Sequence, residues 1–392
     1  MSPCCVDHFS HLSTTMSTDK RSRAWVDVSI RAFQQNFLTV RERVGPEVRI
    51  IPMVKANAYG LGMRQAVQAL EPLDPWGYGV AAVEEGVGIR NMGIRKPVLV
   101  LSPVPPGSYA AAAAAEVSVC ISDLEALERL REAAVAAGLP GRFHLEVDTG
   151  MGRAGFSWNR VESWGPRFRR ALGDPLVWEG CFTHFHSADS RDRAPTLTQW
   201  ARLQEVLKAL PPLPEDALLH ACNSPGALRL PELGAQAVRP GIFLYGGVAG
   251  EELPPPEPVA SLRARITFLR EAEAGSTVGY GATYTAQEPQ RWATVGIGYG
   301  DGLPRLLSNR GRALVRGWLA PIIGRISMDV TVLNVTGVEG VEVGDVVTFF
   351  GVDGEAELPL EEVAELAETI NYEILTDLTT RVPRIWTDHG GY

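Results

Sequence analysis

Short apolar runs alternate with longer segments of helical spacing through the first two thirds of the chain. The runs occupy residues 51–55, 78–83, 97–102, 117–122, 143–148, 181–185, 218–223 and 237–246. Between them, segment 123–138 places one apolar residue on each helical turn, at Leu124, Leu127, Leu130 and Ala134. Eight strand and helix pairs over roughly 250 residues predict an α/β fold of the (β/α)8 barrel type. A doubly wound open sheet is the alternative, although it normally has fewer strands.

A proline-rich stretch at residues 252–259 interrupts this alternation and predicts a domain boundary. Beyond it, apolar residues recur with period two between glycine-rich turns, which predicts a mainly β C-terminal domain. We expect one helix in this domain at 358–375, a closing strand at 381–386, and pairing of residues 25–28 with the same domain. The predicted ranges are a disordered tail at 1–23, the barrel at 24–252 and the β domain at 253–392.

The charge and cysteine content of the 392-residue chain limit its partners and its compartment. The 46 acidic residues exceed the 37 lysines and arginines, which argues against nucleic acid and anionic membranes as ligands. No apolar stretch reaches the ~20 residues of a membrane helix, and residues 1–23 lack the apolar core of a signal peptide, so we expect a cytoplasmic protein. No metal site is predicted, because no standard zinc spacing is formed by Cys4, Cys5, His8 and His11.

Polar residues follow the ends of several predicted strands, on the side where barrel enzymes build their active sites. They are Lys55, Arg153, His184, Asn223, Ser224 and Arg239. Each of them alone has an ordinary explanation as a solvated charge or a structural hydrogen-bonding group. Together, one lysine, one histidine and two arginines at the same rim of a net-acidic chain favour a site for an anion.

The lysine narrows the chemistry of that site. An amine that is desolvated near other cations has a lowered pKa and forms Schiff bases with carbonyl compounds. Pyridoxal phosphate combines an aldehyde with a phosphate. Segments 223–226 and 239–242 offer a hydroxyl and backbone amides near strands seven and eight, where barrels often bind phosphate. The residues therefore favour a pyridoxal phosphate site.

Nine motifs, in order along the chain, connect it with a known family. They are VKANAYGLG, EVDTGMGRAGF, FTHFHSAD, HACNSPG, VRPGIFLYG, VGYGATY, IGYGDGLPR, GRISMDV and RVPR. With them the chain resembles the alanine racemases, fold-type III enzymes that use pyridoxal phosphate to interconvert L- and D-alanine and supply D-alanine for the cell wall. The resemblance runs from about residue 25 to 386. It implies a homodimer in which each active site combines the barrel of one subunit with the β domain of the other.

The resemblance also implies two catalytic bases on opposite faces of the substrate carbon. Lys55 is implied to carry the cofactor, and Tyr280, contributed by the other subunit, to be the second base. A free tyrosine costs ~4 kcal/mol to ionise at neutral pH, so nearby cations must lower its pKa. His184 is implied under the cofactor ring and Arg239 at the pyridine nitrogen. Because a guanidinium only donates, that nitrogen stays unprotonated, which disfavours a long-lived carbanion and transamination.

Further residues are implied at the cofactor, the substrate and the entrance. The implied cofactor contacts besides those above are Tyr59, Asn223, Ser224, Gly241, Ile242 and Thr380. Thr380 stands where some relatives have a tyrosine, and it has a shorter reach. Arg153 and Met328 are implied at the substrate, and Tyr299 and Asp329 at the entrance of a narrow pocket.

At Glu146 the chain departs from the many relatives that have a carbamylated lysine there. Glutamate cannot be carbamylated, but strand alternation puts its carboxylate on the same face as Asp148. We predict that Glu146 pairs directly with Arg153 through a charge-assisted bond. The alternative is a glutamate that faces solvent at the rim.

Other activities compete with the racemase interpretation. A pyridoxal phosphate amino-acid decarboxylase of similar architecture would also use a lysine after strand one, but we do not expect it to carry VGYGATY together with RISMDV. A non-catalytic carrier of the cofactor would need only the barrel, and the β domain argues against it. A racemase with a slightly wider pocket would also accept serine, because one methylene contributes only ~1–3 kcal/mol to discrimination.

Overall fold

The computed structural model describes residue 21 and residues 23–388. Most of the predicted tail lies outside these residues. So do the four residues that were rejected above as metal ligands, Cys4, Cys5, His8 and His11. Two arginines from the end of the predicted tail are described, and both are bound to the folded chain. Arg21 pairs with Asp27 at 3.1 Å, and Arg23 donates to Asp301 at 2.9 Å.

The N-terminal domain is a parallel barrel that follows a first strand, β1 (Ala24–Ser29), which pairs elsewhere. Its strands are β2 (Arg49–Ile50), β3 (Tyr78–Val80), β4 (Val98–Val100), β5 (Ser118–Ile121), β6 (Gly141–Asp148), β7 (Phe156–Ser157), β8 (Leu176–Phe182), β9 (Leu218–His220) and β10 (Ala237–Val238). The sheet runs in the order β2-β10-β9-β8-β6-β5-β4-β3, with β7 added beside β6.

The two ends of this sheet meet just before Lys55. Met53 forms a parallel bridge with Gly79 of β3, and the Gly79 amide donates to the Pro52 carbonyl at 2.9 Å. The predicted (β/α)8 barrel is therefore confirmed over an open sheet. The first apolar run contributes less strand than expected, since β2 ends at Ile50 and only the bridge at Met53 continues it.

Helices surround the barrel and two more lie in the C-terminal domain. They are α1 (Ile30–Val44), α2 (Lys55–Tyr59), α3 (Met63–Leu70), α4 (Val83–Asn91), α5 (Tyr109–Ala114), α6 (Leu124–Ala137), α7 (Val161–Ala171), α8 (Ala194–Ala209), α9 (Ser224–Arg229), α10 (Leu360–Leu366) and α11 (Asn371–Thr376). In α6, Asp123 caps the first turn by accepting from the Ala126 amide at 2.7 Å. The predicted apolar face packs inward there, with Leu127 and Leu130 buried.

The C-terminal domain is mainly β, as predicted. Its strands are β11 (Ala260–Ala272), β12 (Thr277–Val278), β13 (Tyr284–Thr285), β14 (Gln290–Val295), β15 (Arg312–Val315), β16 (Trp318–Pro321), β17 (Thr331–Asn334), β18 (Val346–Asp353), β19 (Ala356–Leu358) and β20 (Arg384–Thr387). Strand β1 pairs antiparallel with β11 and parallel with β20, so the expected pairing of residues 25–28 with this domain is confirmed.

One element of the C-terminal domain differs from its prediction. The helix expected at 358–375 is two helices, α10 and α11, because the chain turns at Glu368, which has a left-handed φ of 56°. This break starts a new helix at Asn371, and it brings the next residue, Tyr372, to the barrel rim. Within the described residues, no helix is both long and apolar enough to cross a membrane.

Candidate active site

A cavity of about 220 Å³ lies at the C-terminal ends of the barrel strands, where the sequence predicted the site. Its walls bring together most of the predicted polar residues with several apolar ones. They are Met53, Lys55, Tyr59, Leu101, Arg153, Phe182, His184, Asn223, Ser224, Arg239, Gly241, Ile242 and Tyr372.

Lys55 enters this cavity at the start of a left-handed turn. The four residues after it, Ala56 to Tyr59, all have φ between 51° and 55°. Such a run is costly for residues with a Cβ, so contacts around the turn must hold it. Glu85 does so by accepting from the Ala56 amide at 2.6 Å and from the Ala81 amide at 2.9 Å. The strand-end lysine is thus held by a strained connection.

The surroundings of Lys55 favour its neutral amine. Burial lowers its pKa from the ordinary value, and the guanidinium groups of Arg153 and Arg239 lower it further, against the opposing effect of Glu85. A neutral amine is the form that attacks a carbonyl carbon. The surroundings therefore shift Lys55 toward the form that can attack a carbonyl carbon.

Arg239 is buried behind the cavity and is surrounded by acceptors without a negative charge. Its Nη2 donates to the carbonyl oxygens of Thr183 at 2.9 Å and Ala221 at 3.1 Å, and its Nη1 lies 2.6 Å from Nδ1 of His220. Burial lowers its pKa to about 10, so it remains a cation at neutral pH. His184 lies 3.4 Å from Nη2, and burial together with Arg239 lowers the pKa of His184 to about 3. The imidazole is therefore neutral.

A cradle of small and hydroxylated groups forms another wall of the cavity. The Ser224 hydroxyl accepts from the Gly241 amide at 2.8 Å, and Asn223 accepts from the Gly226 amide at 3.1 Å to cap α9. A Cβ at residue 241 would collide with the hydroxyl of Tyr59, so only glycine fits there. Hydroxyl and amide groups around a narrow space are suited to a phosphate.

Tyr372 is a wall residue that the sequence reasoning missed, and it corrects the prediction for Thr380. Thr380 is exposed and is not among the residues that line the cavity. Tyr372 lines the cavity instead, with its ring 6.1 Å from that of Tyr59. The physical reason is the break between α10 and α11, which places Tyr372 in the first turn of a new helix. The signal available in the sequence was a tyrosine beside an asparagine in the middle of the predicted helix.

Comparisons with known proteins agree with this geometry. The family descriptions "Alanine racemase, N-terminal domain" and "Alanine racemase, C-terminal domain" match residues 28–249 and 259–386. An alanine racemase of Halothermothrix orenii is 36% identical over 379 residues, which are 94% of this chain and 97% of that protein. The chain belongs to the alanine racemase family. The predicted resemblance is confirmed, and the decarboxylase alternative is not favoured.

Solved structures of alanine racemases have the same fold. The crystal structure from E. faecalis is 32% identical, with a TM-score of 0.86, and the match covers 93% of this chain and 98% of that one. The structure from Bartonella henselae, described with covalently bound pyridoxal phosphate, is 28% identical with a TM-score of 0.85 and covers 93% of this chain and 100% of that one. The likeness extends over both domains.

Within this alanine racemase fold, Glu146 does not make the predicted ion pair. It is buried, its Oε2 accepts from the Ser122 hydroxyl at 2.7 Å, and no ion pair within 4.0 Å joins it to Arg153. Burial raises the pKa of Glu146, while Ser122 and then Arg153 oppose the rise. The prediction of a direct bond is wrong for this structure, because Ser122 takes the carboxylate. The alternative of a solvent-facing glutamate is also wrong.

Four predicted residues of the C-terminal domain stay outside the cavity of their own chain. Tyr280, Tyr299 and Met328 are 72%, 42% and 52% exposed, and the carboxylate of Asp329 pairs with Arg381 at 2.6 Å. None of the four is among the residues that line the cavity. All four therefore lie away from the cavity of their own chain.

Proposed function

We propose that this chain interconverts L- and D-alanine with pyridoxal phosphate, and so supplies D-alanine for the cell wall. The observation that carries the proposal is one cavity that holds the activated Lys55, the buried cation Arg239 and the cradle around Gly241. The family to which the chain belongs supports the same activity.

The residues in the cavity fit pyridoxal phosphate. Lys55 would hold its aldehyde carbon covalently, because its amine is neutral more readily than an ordinary lysine. Tyr59, Ser224 and the backbone at Gly241 and Ile242 would hold the phosphate in the cradle. Arg239 would face the pyridine nitrogen with a group that only donates. When bound, the cofactor supplies an electron sink that makes the Cα proton of an attached amino acid removable.

Two residues, one from each of two copies of this chain, would move the Cα proton. The Lys55 amine would serve one face of Cα and the Tyr280 phenol of a second copy the other face. Tyr280 suits this role because it is exposed on the C-terminal domain and does not line its own cavity. We therefore propose a homodimer with two shared active sites.

Positioning of alanine would fall to the remaining predicted residues. Arg153 lines the cavity and would bind the substrate carboxylate as a charge-assisted donor. The backbone amide of Met328 would contact the substrate, and Tyr299 and Asp329 would narrow the entrance to fit a methyl side chain. We propose the cytoplasm as the location, supported within the described residues by three free buried cysteines, Cys120, Cys181 and Cys222.

The test follows racemisation of L-alanine in deuterated water with added pyridoxal phosphate. We expect D-alanine to appear with deuterium at Cα. Lys55→Ala and Tyr280→Phe should each lower kcat by roughly 10²–10⁴-fold, the loss typical of a missing acid or base. The matched control is Tyr284→Phe, because the Tyr284 hydroxyl bonds Gln290 at 3.1 Å in the same domain and does not line the cavity. This substitution should leave kcat near that of the native protein.

Two results would contradict the proposal. Racemisation that survives both Lys55→Ala and Tyr280→Phe would refute the two bases. Racemisation of L-serine with a kcat/KM equal to that of L-alanine would refute alanine as the preferred substrate and favour the broader racemase.

A further inference from the structure

Two buried histidines continue inward from Arg239 into the barrel. Nη1 of Arg239 lies 2.6 Å from Nδ1 of His220, and Nε2 of His220 lies 2.9 Å from Nδ1 of His144. The exposed fractions of the three side chains are 4%, 0% and 1%. His144 is on β6 and His220 on β9, so the chain of contacts crosses the barrel interior.

The hydrogen atoms in this chain can point in only one direction. A guanidinium has donors and no acceptor, so Nδ1 of His220 must accept from Arg239. A neutral His220 then carries its hydrogen on Nε2 and donates it to Nδ1 of His144. His144 in turn carries its hydrogen on Nε2. The structure thus assigns the tautomer of both rings.

The surroundings keep both histidines neutral and in place. Burial, and then the charge of Arg239, lower the pKa of His144 to about 3 and that of His220 well below its ordinary value. The ring of Phe182 stacks on His220 at 5.0 Å with an angle of 5° between the planes. The His144 ring is fitted against Gly180. A Cβ at residue 180 would collide with Nδ1 of His144, so the glycine leaves the space that the His144 ring needs.

The far end of the chain is open. Within the described part of the protein, Nε2 of His144 is buried and has no hydrogen-bond partner. An unpaired buried donor costs about 1–3 kcal/mol. A phenylalanine or leucine in this place would avoid that cost. The His144 ring therefore lowers the free energy of unfolding, a cost that is explained if its other nitrogen, Nδ1, has a function.

We propose that His144 is a positioning residue for Arg239: by accepting from His220 it fixes the His220 tautomer, and that tautomer holds the guanidinium toward the cavity. The proposal rests on the proposed function, in which Arg239 faces the cofactor. Without the acceptor on His144, His220 is free to move its hydrogen to Nδ1. A donor would then face the donor of Arg239, and the guanidinium would keep only its contacts with the carbonyls of Thr183 and Ala221.

Three substitutions at residue 144 separate this role from simple packing. His144→Asn keeps an acceptor near the position of Nδ1. His144→Gln keeps a polar group nearer the position of Nε2, and His144→Leu fills space without any acceptor. We expect Leu and Gln to lower kcat about tenfold, the scale of losses when an outer hydrogen-bond partner is removed. KM for alanine should stay within twofold, and Asn should restore most of kcat.

The second readout needs no activity. In protein labelled with ¹⁵N-histidine and prepared without cofactor, the ¹⁵N shifts report which ring nitrogen carries the hydrogen. We expect Nε2–H for His220 in the native protein and in His144→Asn, and an Nδ1–H population in His144→Leu. Signals are assigned by their loss in the His144 variants and in His220→Asn.

The outcomes decide between the alternatives. An Nδ1–H tautomer of His220 in the native protein would refute the proposal even if no variant folds. An unchanged His220 tautomer in His144→Leu, or equal losses of kcat in the Leu and Asn variants, would also refute it and leave His144 a packing residue. Native protein that shows the assigned tautomers but does not racemise alanine would refute the proposed function alone.

Discussion

The Lys55 amine shares its cavity with the guanidinium groups of Arg153 and Arg239. Three cationic groups around one small space repel each other, and of the three only the lysine readily releases its proton. The repulsion is therefore relieved at Lys55, whose pKa is lowered toward release of its proton. In the proposed function, Arg153 would face the substrate carboxylate and Arg239 the pyridine nitrogen.

This balance predicts how the pH dependence of cofactor capture changes when one arginine is removed. Arg153 lowers the pKa of Lys55, so Arg153→Met should raise it. At a given pH below that pKa the neutral fraction of the amine then falls, and the pH of half-maximal capture moves upward. The measurement is the rate at which cofactor-free protein binds pyridoxal phosphate across a pH series, followed by absorbance.

Arg160→Met is the matched control for this series. Arg160 is also an exposed arginine, and it is not among the groups that shift the pKa of Lys55. Its profile should overlay that of the native protein. A downward movement or no movement in Arg153→Met would show that Arg153 does not act on the amine.

Single residues also show how much of the candidate site can be predicted from the sequence. The rule that polar residues at strand ends meet at one rim predicted Lys55, His184 and Arg239 in one cavity, and all three line it. The partner of Glu146 could not be predicted, because the Ser122 hydroxyl comes from the residue after β5, and no local pattern gives the register of β5 against β6. The predicted cofactor contact of Thr380 was wrong for a similar reason, because the spacing of motifs does not show where a helix ends and the chain turns.

A buried carboxylate joins several elements of the C-terminal domain near the predicted entrance residues. Asp301 is fully buried, accepts from Arg23 at 2.9 Å and from the Gly298 amide at 3.0 Å, and lies 3.3 Å from Arg381. Arg381 also binds Asp329. Asp301 therefore ties the residues before β1 and after α11 to the turn that holds Tyr299.

Removing this charge should destabilise the protein. Asp301→Asn leaves two guanidinium groups around a neutral amide. We expect a loss of about 2 kcal/mol in the free energy of unfolding, less than for a fully buried pair because both arginines still reach water. Urea denaturation followed by circular dichroism measures it.

An exposed ion pair provides the comparison for Asp301. Glu125 and Arg129 are one turn apart on α6 and largely exposed, so Glu125→Gln should change the free energy by no more than about 0.5 kcal/mol. Equal effects of the two substitutions would show that the Asp301 cluster is only another surface contact.

At the level of elements, periodicity predicted most of the fold. Eight short apolar runs gave the barrel, and α6 has the expected apolar face between Asp123 and Gly138. The single helix at 358–375 was wrong because residues with good helix propensity continue through Glu368, and only tertiary packing turns the chain there. Propensity could not show that break.

In the molecule as a whole, the predicted second base, Tyr280, is exposed on the surface. The cavity is in the barrel, while Tyr280 is 72% exposed and lies in the C-terminal domain. The residue pattern alone could not predict that Tyr280 and the cavity lie in different domains. That expectation came from the family resemblance. A protomer with this arrangement needs a second copy to complete the proposed site.

Shared sites predict that two inactive variants restore each other. Lys55→Ala and Tyr280→Phe should each be inactive as homodimers. A mixed dimer has one site with both native residues and one with neither, so random mixing should recover roughly a quarter of the native sites. Co-expression with two different affinity tags isolates the mixed dimer, whose kcat is then measured. A pure mixed dimer without activity would show that both bases come from the same subunit.

The left-handed turn after Lys55 has a consequence for the order of assembly. Residues Ala56 to Tyr59 adopt a handedness that an isolated peptide of this sequence would avoid. They depend on Glu85, in the first turn of α4, and on the strands that close beside Met53. We therefore expect the Lys55 amine to take this position only in a chain whose barrel has closed, and not in an incomplete one.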